Sequence, residues 1–387
     1  MKLCDIILLS YESPDLLKKC VESVLEHTNV KSSLIIVDNA SKDPGVKQYL
    51  DSVHGNGTVE VEKIFSEENA GYAGGMNKGM RIASAPYICL LNNDCIVSEG
   101  WLEEMIDIAR RNAHIGIVNP QSSTFGSRPE ESVSINEHAA LLSDKKGNYV
   151  ELGHMIGFAA LIKKEVIEKI GSFDEAYQGV CYEDTDFSAR ALQAGYISVM
   201  AEGSYVYHKE QASRKNLANK EEIYARNKKI FEERWGKLLR VCYIDSVHNV
   251  GFKESLPLTY ENLRGLARER MLIDVWIRGA AKKHTYGTDN FLSAHIRHAD
   301  VRLRYSLSRS MYFEVLWKVL VKKKKYDAII LRKKWMIVVL GFLKFIHRAR
   351  IIVLDKNHLK CSHDKVFEVN RPSFFAKYLR KITISKP

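Results

Sequence analysis

The sequence predicts an α/β protein whose first two thirds form an open, mostly parallel sheet with helices on both faces. Short apolar runs, typical of buried strands, alternate with helical patterns over residues 3–118. Polar residues such as Asp38 and Asp94 follow several of these runs. They therefore fall at the carboxyl ends of the predicted strands, which is where parallel sheets bind ligands. Strand signals fade beyond Gly236. Because 387 residues suffice for two domains, we expect an α/β domain over 1–235 and a basic, mainly helical domain over 236–387.

Each element of the first domain follows from a local pattern. Residues 3–9 are a continuous apolar run, as in a buried strand. Ser13 and Pro14 then supply an N-cap and a first helical residue, and apolar residues recur at helical spacing over 16–25. Further strands are predicted over 34–37, 59–65, 87–91, 115–118, 158–162, 196–200 and 205–207, and further helices over 102–109, 165–170, 183–195 and 220–235. The glycine-rich run 69–79 is predicted to be a loop that leads into a helix near Met80.

The charge is divided unevenly along the chain. Residues 1–235 carry 26 Lys and Arg and 35 Asp and Glu, a net of −9, whereas residues 236–387 carry 32 and 12, a net of +20. The basic part is therefore expected to prefer an anionic partner: phospholipid, a lipid-pyrophosphate carrier or nucleic acid. A hydrophobic content of 45% excludes a wholly disordered chain. The seven cysteines are scattered without a Cys-x-x-Cys pair, so neither a disulfide framework nor a zinc site is expected.

Five acidic residues follow strand or loop ends: Asp38, Asp94, Glu183, Asp184 and Asp186. Any one of them could be an ordinary turn or N-cap residue. Their recurrence at successive strand ends instead indicates a site for a divalent cation and a nucleotide diphosphate, because hard cations such as Mg²⁺ bind one or two carboxylates together with phosphate oxygens.

Six motifs occur in order along the chain. They are IILLSY at 6–11, IIVDNAS at 35–41, NAGYAGGMNKG at 69–79, LLNND at 90–94, GSFDE at 171–175 with YEDTDF at 182–187, and Tyr207-His208 with Ser213. Together they resemble glycosyltransferase family 2, an inverting family with the GT-A fold, and the resemblance covers residues 3–235. Within the family the chain is most similar to bacterial rhamnosyl- and galactofuranosyl-transferases.

The resemblance implies a nucleotide-sugar site. Asp38 would accept a hydrogen bond from the imide N–H of uracil or thymine, which implies a UDP- or dTDP-sugar donor. Glu12 departs from the neutral polar residue that is more usual at its position. The implied nucleotide-sugar residues are Ser10, Tyr11, Glu12, Asp38, Asn39, Asn69, Gly71, Gly74, Asn77, Asn92 and Asn93.

The resemblance also implies a Mn²⁺ or Mg²⁺ site on Asp94, with His208 as a second ligand. Asn92 and Asn93 stand where acids are often found, so the cation would depend on one protein carboxylate and on the diphosphate. A lone histidine after a strand can equally be structural.

Asp184 is the implied general base, which would take the proton of the acceptor hydroxyl, and Glu183 is implied beside it. Tyr182 and Asp186 would hold the acceptor. Glu183 or Asp186 could instead be the base. The alternative explanation for these acidic residues is a helix N-terminus, where the helix dipole favours negatively charged side chains.

The basic tail predicts contact with an anionic membrane. Residues 336–343 form an apolar run flanked by Arg332, Lys333, Lys334 and Lys344, with Trp335 at its boundary. The alternative is a buried helix with solvated lysines around it, and nucleic acid is disfavoured because no binding signature is present. We therefore expect a cytoplasmic enzyme that is peripheral on the inner face of the cell membrane.

The function expected from these observations is metal-assisted, inverting sugar transfer to a hydroxyl of a growing, lipid-linked cell-surface glycan. The donor sugar stays open among rhamnose, galactofuranose, galactose and N-acetylglucosamine. Nucleotidyl transfer is disfavoured because residues 10–17 contain neither a glycine-rich loop nor a basic residue. A second alternative is a degenerate transferase domain that serves as a basic membrane- or nucleic-acid-binding interaction protein.

Overall fold

The computed structural model divides into two compact units, Met1–Gly236 and Lys237–Pro387. Ser213, Arg332 and Lys333, which the sequence analysis singles out, lie outside the described residues. The structure describes residues 2–179, 181–209, 219–245, 256–278, 297–306, 311–331, 334–355, 358–361, 366–368, 377 and 380–381.

The first unit alternates strands and helices. Its strands are β1 (Cys4–Ser10), β2 (Ser32–Asp38), β3 (Val59–Phe65), β4 (Tyr87–Asn92), β5 (Cys95–Val97), β6 (Ile115–Ser122), β7 (Tyr149–Leu152), β8 (Ala159–Lys163) and β9 (Ile197–His208). Its helices are α1 (Pro14–His27), α2 (Pro44–Ser52), α3 (Gly71–Ile82), α4 (Trp101–Arg111), α5 (Ile135–Ala140), α6 (Lys164–Ile170), α7 (Glu183–Gln193) and α8 (Lys220–Trp235), with a 3₁₀ turn at Ser143–Lys145.

These strands form one mostly parallel sheet, as predicted. The order is β3-β2-β1-β4-β8-β6-β9-β5, with β7 paired to β9. Strands β3, β2, β1 and β4 are mutually parallel, and β8 is antiparallel to both of its neighbours. Alternate residues of β1 enter two different cores: Ile6 and Leu8 pack on one face and Ile7 on the other. The continuous apolar run of β1 therefore reflects burial on both faces.

The register of the parallel strands brings the predicted site residues to one edge of the sheet. Ser10 at the end of β1 pairs with Asp38 at the end of β2. On the other side of β1, Leu9 pairs with Asn92, the last residue of β4. Asn93 and Asp94 follow directly, so the first strand ends and the LLNND motif meet at the carboxyl edge.

The glycine-rich run is helical, and the prediction of a loop over 69–79 is wrong for most of it. Helix α3 begins at Gly71 and packs directly against β1. A Cβ on Gly75 would lie 2.4 Å from Leu9 Cδ1, and a Cβ on Gly79 would lie 2.4 Å from Ile7 Cγ2. The glycines therefore let the helix approach the strand closely, a tertiary gain that outweighs their low helix propensity.

The second unit contains a sheet, so the prediction of a mainly helical domain is wrong. Its strand order is β12-β11-β10-β13-β14-β15-β16, and the first five strands are parallel. The strands are β10 (Leu239–Asp245), β11 (Met271–Arg278), β12 (Val301–Ser306), β13 (Ala328–Leu331), β14 (Arg350–Asp355), β15 (His358–Cys361) and β16 (Val366–Glu368). The described helices are α9 (Leu256–Arg268), α10 (Met311–Val321), α11 (Lys334–Phe342) and α12 (Lys344–His347).

The error arose because an apolar run by itself is ambiguous between a buried strand and a buried helix, as β13 shows. Strand β13 has four residues, all buried, and periodicity does not distinguish such a run from part of a buried helix. The basic segments on either side of this strand, 322–325 and 332–334, make the sequence around it look like that of a basic helical region. Over the described residues, no helix has the length and apolar character needed to span a bilayer.

Candidate active site

Glu12 joins the loops that follow β1 and β2. Its backbone N–H donates to Ser41 Oγ at 2.8 Å, and its carboxylate accepts from the N–H groups of Lys42 and Asp43, both at 3.0 Å. Ser41 Oγ in turn donates to Asp38 Oδ1 at 2.5 Å. The structure thus places Glu12 as an anchor that orients Asp38, whereas the sequence analysis places it in contact with the nucleotide.

Asn39 organises the start of α3. Its Nδ2 donates to Asn69 Oδ1 at 2.9 Å and to the Gly71 carbonyl at 3.0 Å, while its Oδ1 accepts from Ala70 N–H at 3.0 Å. Gly71 has φ +70°, a left-handed conformation that favours glycine. Asn39 and Asn69 therefore hold the carboxyl end of β2 to the N-terminus of α3.

Asn77, which is predicted to contact the donor, makes its hydrogen bonds within the protein. It is 2% exposed, accepts from Phe173 N–H at 3.0 Å, and donates to the Phe173 carbonyl at 2.9 Å and to Glu175 Oε1 at 2.8 Å. A Cβ on Gly74 would lie 2.8 Å from Ala70 Cβ, and Glu175 is the next neighbour. Asn77 thus fixes the GSFDE segment to α3.

Asp94 and His208 lie side by side at the end of the sheet. Asp94 Oδ1 is 3.3 Å from His208 Nε2, because Cys95 of β5 pairs with His208 of β9. Asp94 is 6% exposed, and its Oδ1 has no hydrogen-bond partner among the residues that the structure describes. The two atoms are therefore close without forming a hydrogen bond.

Cys95 lies beside this pair, and one ligand atom from each of the three side chains falls within 4.8 Å of the others. Burial raises the pKa of the Cys95 thiol well above its usual value, and the thiol donates to the Phe158 carbonyl at 3.5 Å. Cys95 is therefore a neutral neighbour, whereas Asp94 and His208 offer a carboxylate and an imidazole.

The ring of His208 is held from two sides. Phe158 stacks on it, with ring centres 5.0 Å apart and an interplanar angle of 16°. Thr124 Oγ1 lies 3.3 Å from His208 Nδ1, which leaves Nε2 directed towards Asp94. The N–H of Asn92 donates to the Phe158 carbonyl at 2.9 Å, and Asn93 is 8% exposed next to Asp94.

Asp184 stands at the N-terminal end of α7, next to Gly157. Its Oδ2 accepts from Gly157 N–H at 3.2 Å, and its Oδ1 accepts from the N–H and the hydroxyl of Thr185 at 2.6 and 3.1 Å. Gly157 precedes Phe158 in the chain. The dipeptide 157–158 therefore connects the Asp184 carboxylate with the His208 ring.

Tyr72, which the sequence analysis does not identify, lies among these groups. Its hydroxyl donates to the Gly157 carbonyl. Burial raises its pKa well above the usual value, and the carboxylates of Glu183, Asp184 and Asp94 raise it further. Tyr72 and Asp184 therefore contact the same residue, because Asp184 accepts from the Gly157 N–H. The sequence signal for Tyr72 was its position as the aromatic residue of the NAGYAGG motif.

Asp186, which is predicted to hold the acceptor, makes its hydrogen bonds within the protein. Its side chain is 0% exposed and accepts from Arg190 Nε and Arg234 Nη1, both at 2.8 Å. Trp235 Nε1 at 2.8 Å and the Tyr177 hydroxyl at 3.2 Å also donate to it. Asp186 therefore ties α7 to α8.

Tyr182 lies on an aromatic platform formed with α8. It has φ +78°, its ring centre lies 5.2 Å from that of Phe231, and its hydroxyl donates to Tyr224 Oη at 3.2 Å. Tyr224 is 48% exposed, whereas Glu183, which follows Tyr182 in the chain, is 6% exposed. Tyr11, at the end of β1, is 44% exposed. The platform offers aromatic and hydroxyl surface beside Asp184.

Comparison with known proteins identifies the first unit. Residues 5–171 match the model of the family described as glycosyl transferase family 2. An uncharacterized glycosyltransferase of Haemophilus influenzae is 27% identical over 196 residues, covering 49% of this chain and 61% of that protein. The O-antigen biosynthesis protein RfbC of Myxococcus xanthus is 25% identical over 250 residues, covering 57% of this chain and 18% of that protein.

A solved structure of S. aureus TarS 1–349 in complex with UDP-GlcNAc has a TM-score of 0.46 and 12% sequence identity, covering 61% of this chain and 66% of that chain. That likeness is too distant to inform on ligands. The chain spans less than two thirds of the length of the curated relatives named above. The family match agrees with the motif order and the parallel sheet, and it shows that residues 5–171 are a glycosyl transferase family 2 domain.

Proposed function

We propose that the chain transfers a sugar, with inversion, from a UDP- or dTDP-sugar to a hydroxyl of a growing, lipid-linked cell-surface glycan. The observation that carries the proposal is the arrangement around residues 157–158, where Gly157 contacts the Asp184 carboxylate and Phe158 stacks on His208, which lies beside Asp94. The name of one relative, an O-antigen biosynthesis protein, supports a cell-surface product.

Asp38 and Ser10 are the proposed nucleotide contacts. They are register partners at the ends of β2 and β1, and Asp38 is 8% exposed. Ser10 is buried, and its Oγ has no hydrogen-bond partner among the described residues. A carboxylate at this edge suits the imide N–H donor of uracil or thymine, and the Glu12–Ser41 contacts fix its orientation.

Asp94 and His208 are the proposed ligands of a divalent cation. The fit is indicated by the buried Asp94 Oδ1, which lacks a hydrogen bond from the described residues, and by its distance of 3.3 Å from His208 Nε2. One oxygen and one nitrogen ligand suit Mn²⁺ better than Mg²⁺, which prefers oxygen alone. The bound cation would neutralise charge on the diphosphate.

Asp184 is the proposed general base. As the acceptor oxygen bonds to the anomeric carbon, the bond from that carbon to the diphosphate breaks, and the hydroxyl proton passes to the Asp184 carboxylate. Gly157 N–H and Thr185 hold this carboxylate in one orientation. Tyr182 and Tyr224 would present the acceptor, since aromatic faces suit the apolar faces of sugar rings. Glu183 is the second candidate for the base.

A thermal-shift panel tests the donor site. UDP, dTDP, GDP and CDP are each added with and without Mn²⁺ to the wild type, Asp94→Ala and the control Asp144→Ala, which lies on the exposed 3₁₀ turn. We expect stabilisation by UDP or dTDP only, dependent on Mn²⁺, retained in Asp144→Ala and lost in Asp94→Ala. A nucleotide at about 100 times its Kd adds roughly 2.7 kcal/mol. No shift with any nucleotide would overturn the proposal.

A further inference from the structure

Helices α10, α11 and α12 cover one face of the sheet in the second unit. Met311, Val315, Met336 and Leu340 pack into a single core with alternate residues of β10 and β13, while α9 packs in the core of the opposite face. The rings of Tyr312 and Trp335 meet edge to face at 5.5 Å, which joins α10 to α11, and α12 contacts both helices. The three helices thus form one layer.

The outward side of this layer is apolar. Phe313, Trp317 and Val321 recur at every fourth residue of α10, and they are 70%, 68% and 56% exposed. Val338 and Phe342 are 57% and 78% exposed on α11, and Phe345 on α12 is 73% exposed. We call these six residues the outer apolar surface. A helix that is apolar on its buried and on its outward side is unusual at a water interface and marks a binding surface.

The surroundings of the outer apolar surface are strongly basic. Residues 311–350 contain eleven lysines and arginines and two acidic residues. Lys323, Lys324, Lys344 and Arg348 are exposed. One of the two acidic residues, Glu314, is paired with Lys318 at 3.0 Å, so the net field over this surface is positive.

We propose that the outer apolar surface binds an anionic phospholipid bilayer. Aromatic and aliphatic side chains would enter the boundary between headgroups and acyl chains, and the surrounding lysines and arginines would contact lipid phosphates. A second copy of the chain is a poorer occupant, because the same surface on both copies would bring like charges together. The proposal is independent of sugar transfer, and it extends the surface expected from the sequence: Met336 and Leu340 of α11 are buried in the core, Val338 and Phe342 of the same helix are exposed, and α10 supplies three of the six residues.

Vesicle co-sedimentation of the full chain tests the proposal. The vesicles are phosphatidylcholine alone or phosphatidylcholine with 30% phosphatidylglycerol, chosen so that only the second kind is anionic. The test variant is the double substitution Trp317→Glu and Phe342→Glu, and the control is Leu141→Glu, which changes a 72% exposed residue of the first unit. Circular dichroism checks that each variant is folded.

We expect binding to the anionic vesicles only, unchanged in Leu141→Glu and lost in the double variant. Reversing charge with Lys323→Glu and Lys324→Glu is expected to weaken binding by about 25-fold or more, since each basic residue near an anionic surface contributes roughly fivefold. Equal sedimentation of the wild type and the double variant would overturn the proposal. Self-association abolished by the same double variant, without vesicle binding, would also overturn it and would assign the surface to a second copy.

Discussion

Asp94 Oδ1 lies 3.3 Å from His208 Nε2, although 113 residues separate them in the chain. The antiparallel pairing of β5 with β9 produces this proximity. Because the oxygen is buried and has no hydrogen bond from the described residues, the pair suits the cation site that we propose. The strand pairing therefore brings the LLNND motif and His208 together.

Replacing His208 by alanine is expected to weaken the Mn²⁺ dependence of nucleotide binding. The Mn²⁺ concentration that gives half of the UDP- or dTDP-induced thermal shift should rise at least about tenfold, because one of two protein ligands is lost. His54→Ala, an exposed histidine in a loop, is the matched control and should behave as the wild type. An unchanged Mn²⁺ requirement in His208→Ala would assign the histidine a purely structural role.

Asp186→Asn is expected to lower the free energy of unfolding by about 1–3 kcal/mol, because it removes the charge of a fully buried carboxylate that binds Arg190 and Arg234, whose own side chains are 21% and 41% exposed. Asp174→Asn is the control. Asp174 also contacts Arg234 at 2.8 Å, but its side chain is 31% exposed, so a loss below about 1 kcal/mol is expected. Urea unfolding measures both. Normal stability of Asp186→Asn with a raised KM for the acceptor would instead restore the predicted acceptor contact.

Gly75→Ala is expected to destabilise the first unit by about 1–3 kcal/mol, because the new methyl group would overlap Leu9 Cδ1 at 2.4 Å. The control is Gly341→Ala in α11, where a Cβ meets no atom within 4 Å. That variant should gain up to about 1 kcal/mol from helix propensity. Thermal or urea unfolding of both variants checks the pair. Equal effects of the two substitutions would show that α3 does not rest on β1 as described.

The stability contributed by Asp5 is expected to vanish in acid. Burial by itself raises the pKa of this carboxyl, but hydrogen bonds from Ala85 N–H, Lys2, Ser33 and Ser84 N–H outweigh burial and hold the pKa below 3.8. A lowered pKa in the folded state means that the contribution is fully present above the pKa of the unfolded chain and is lost as the pH falls through the folded-state value.

Asp5→Asn should therefore cost about 1–3 kcal/mol at pH 7, and its difference from the wild type should shrink below about pH 4. Urea midpoints measured from pH 2.5 to 7 test this. A difference that stays constant over the whole range would mean that the charge of Asp5 contributes nothing.

Strands β1, β2 and β4 could be predicted because each apolar run is buried on both faces and ends at a polar residue, whereas the short strands β5 and β7 were not predicted. Residues 3–9, for example, correspond to β1 with its end at Ser10. The residues that follow these strands could be placed on one edge for the same reason. Helix α3 could not be predicted, because its four glycines oppose a helix locally and the close approach of Gly75 to Leu9 and of Gly79 to Ile7 is visible only in the fold.

The roles of Glu12, Asn77 and Asp186 also could not be read from the sequence. Each makes its hydrogen bonds to residues that are distant along the chain: Asn77 lies 96 residues before Phe173, and Arg234 lies 48 residues after Asp186. A polar residue in a motif can bind a ligand or fix the loop that binds it, and only the fold distinguishes these roles. In the second unit, the basic composition obscured five parallel strands of the 4–8 residues typical of buried strands.

The central claim is that Asp184 removes the acceptor proton, and the most direct test measures turnover and donor binding on the same variant. Release of UDP or dTDP from the matching nucleotide-sugar, with water as the acceptor, is compared for the wild type, Asp184→Asn and Glu183→Gln, and nucleotide affinity is measured by calorimetry. We predict that Asp184→Asn lowers kcat by about 10²–10⁴-fold and changes nucleotide Kd by less than about twofold. Retention of wild-type turnover in Asp184→Asn, or an equal loss confined to Glu183→Gln, would contradict this assignment.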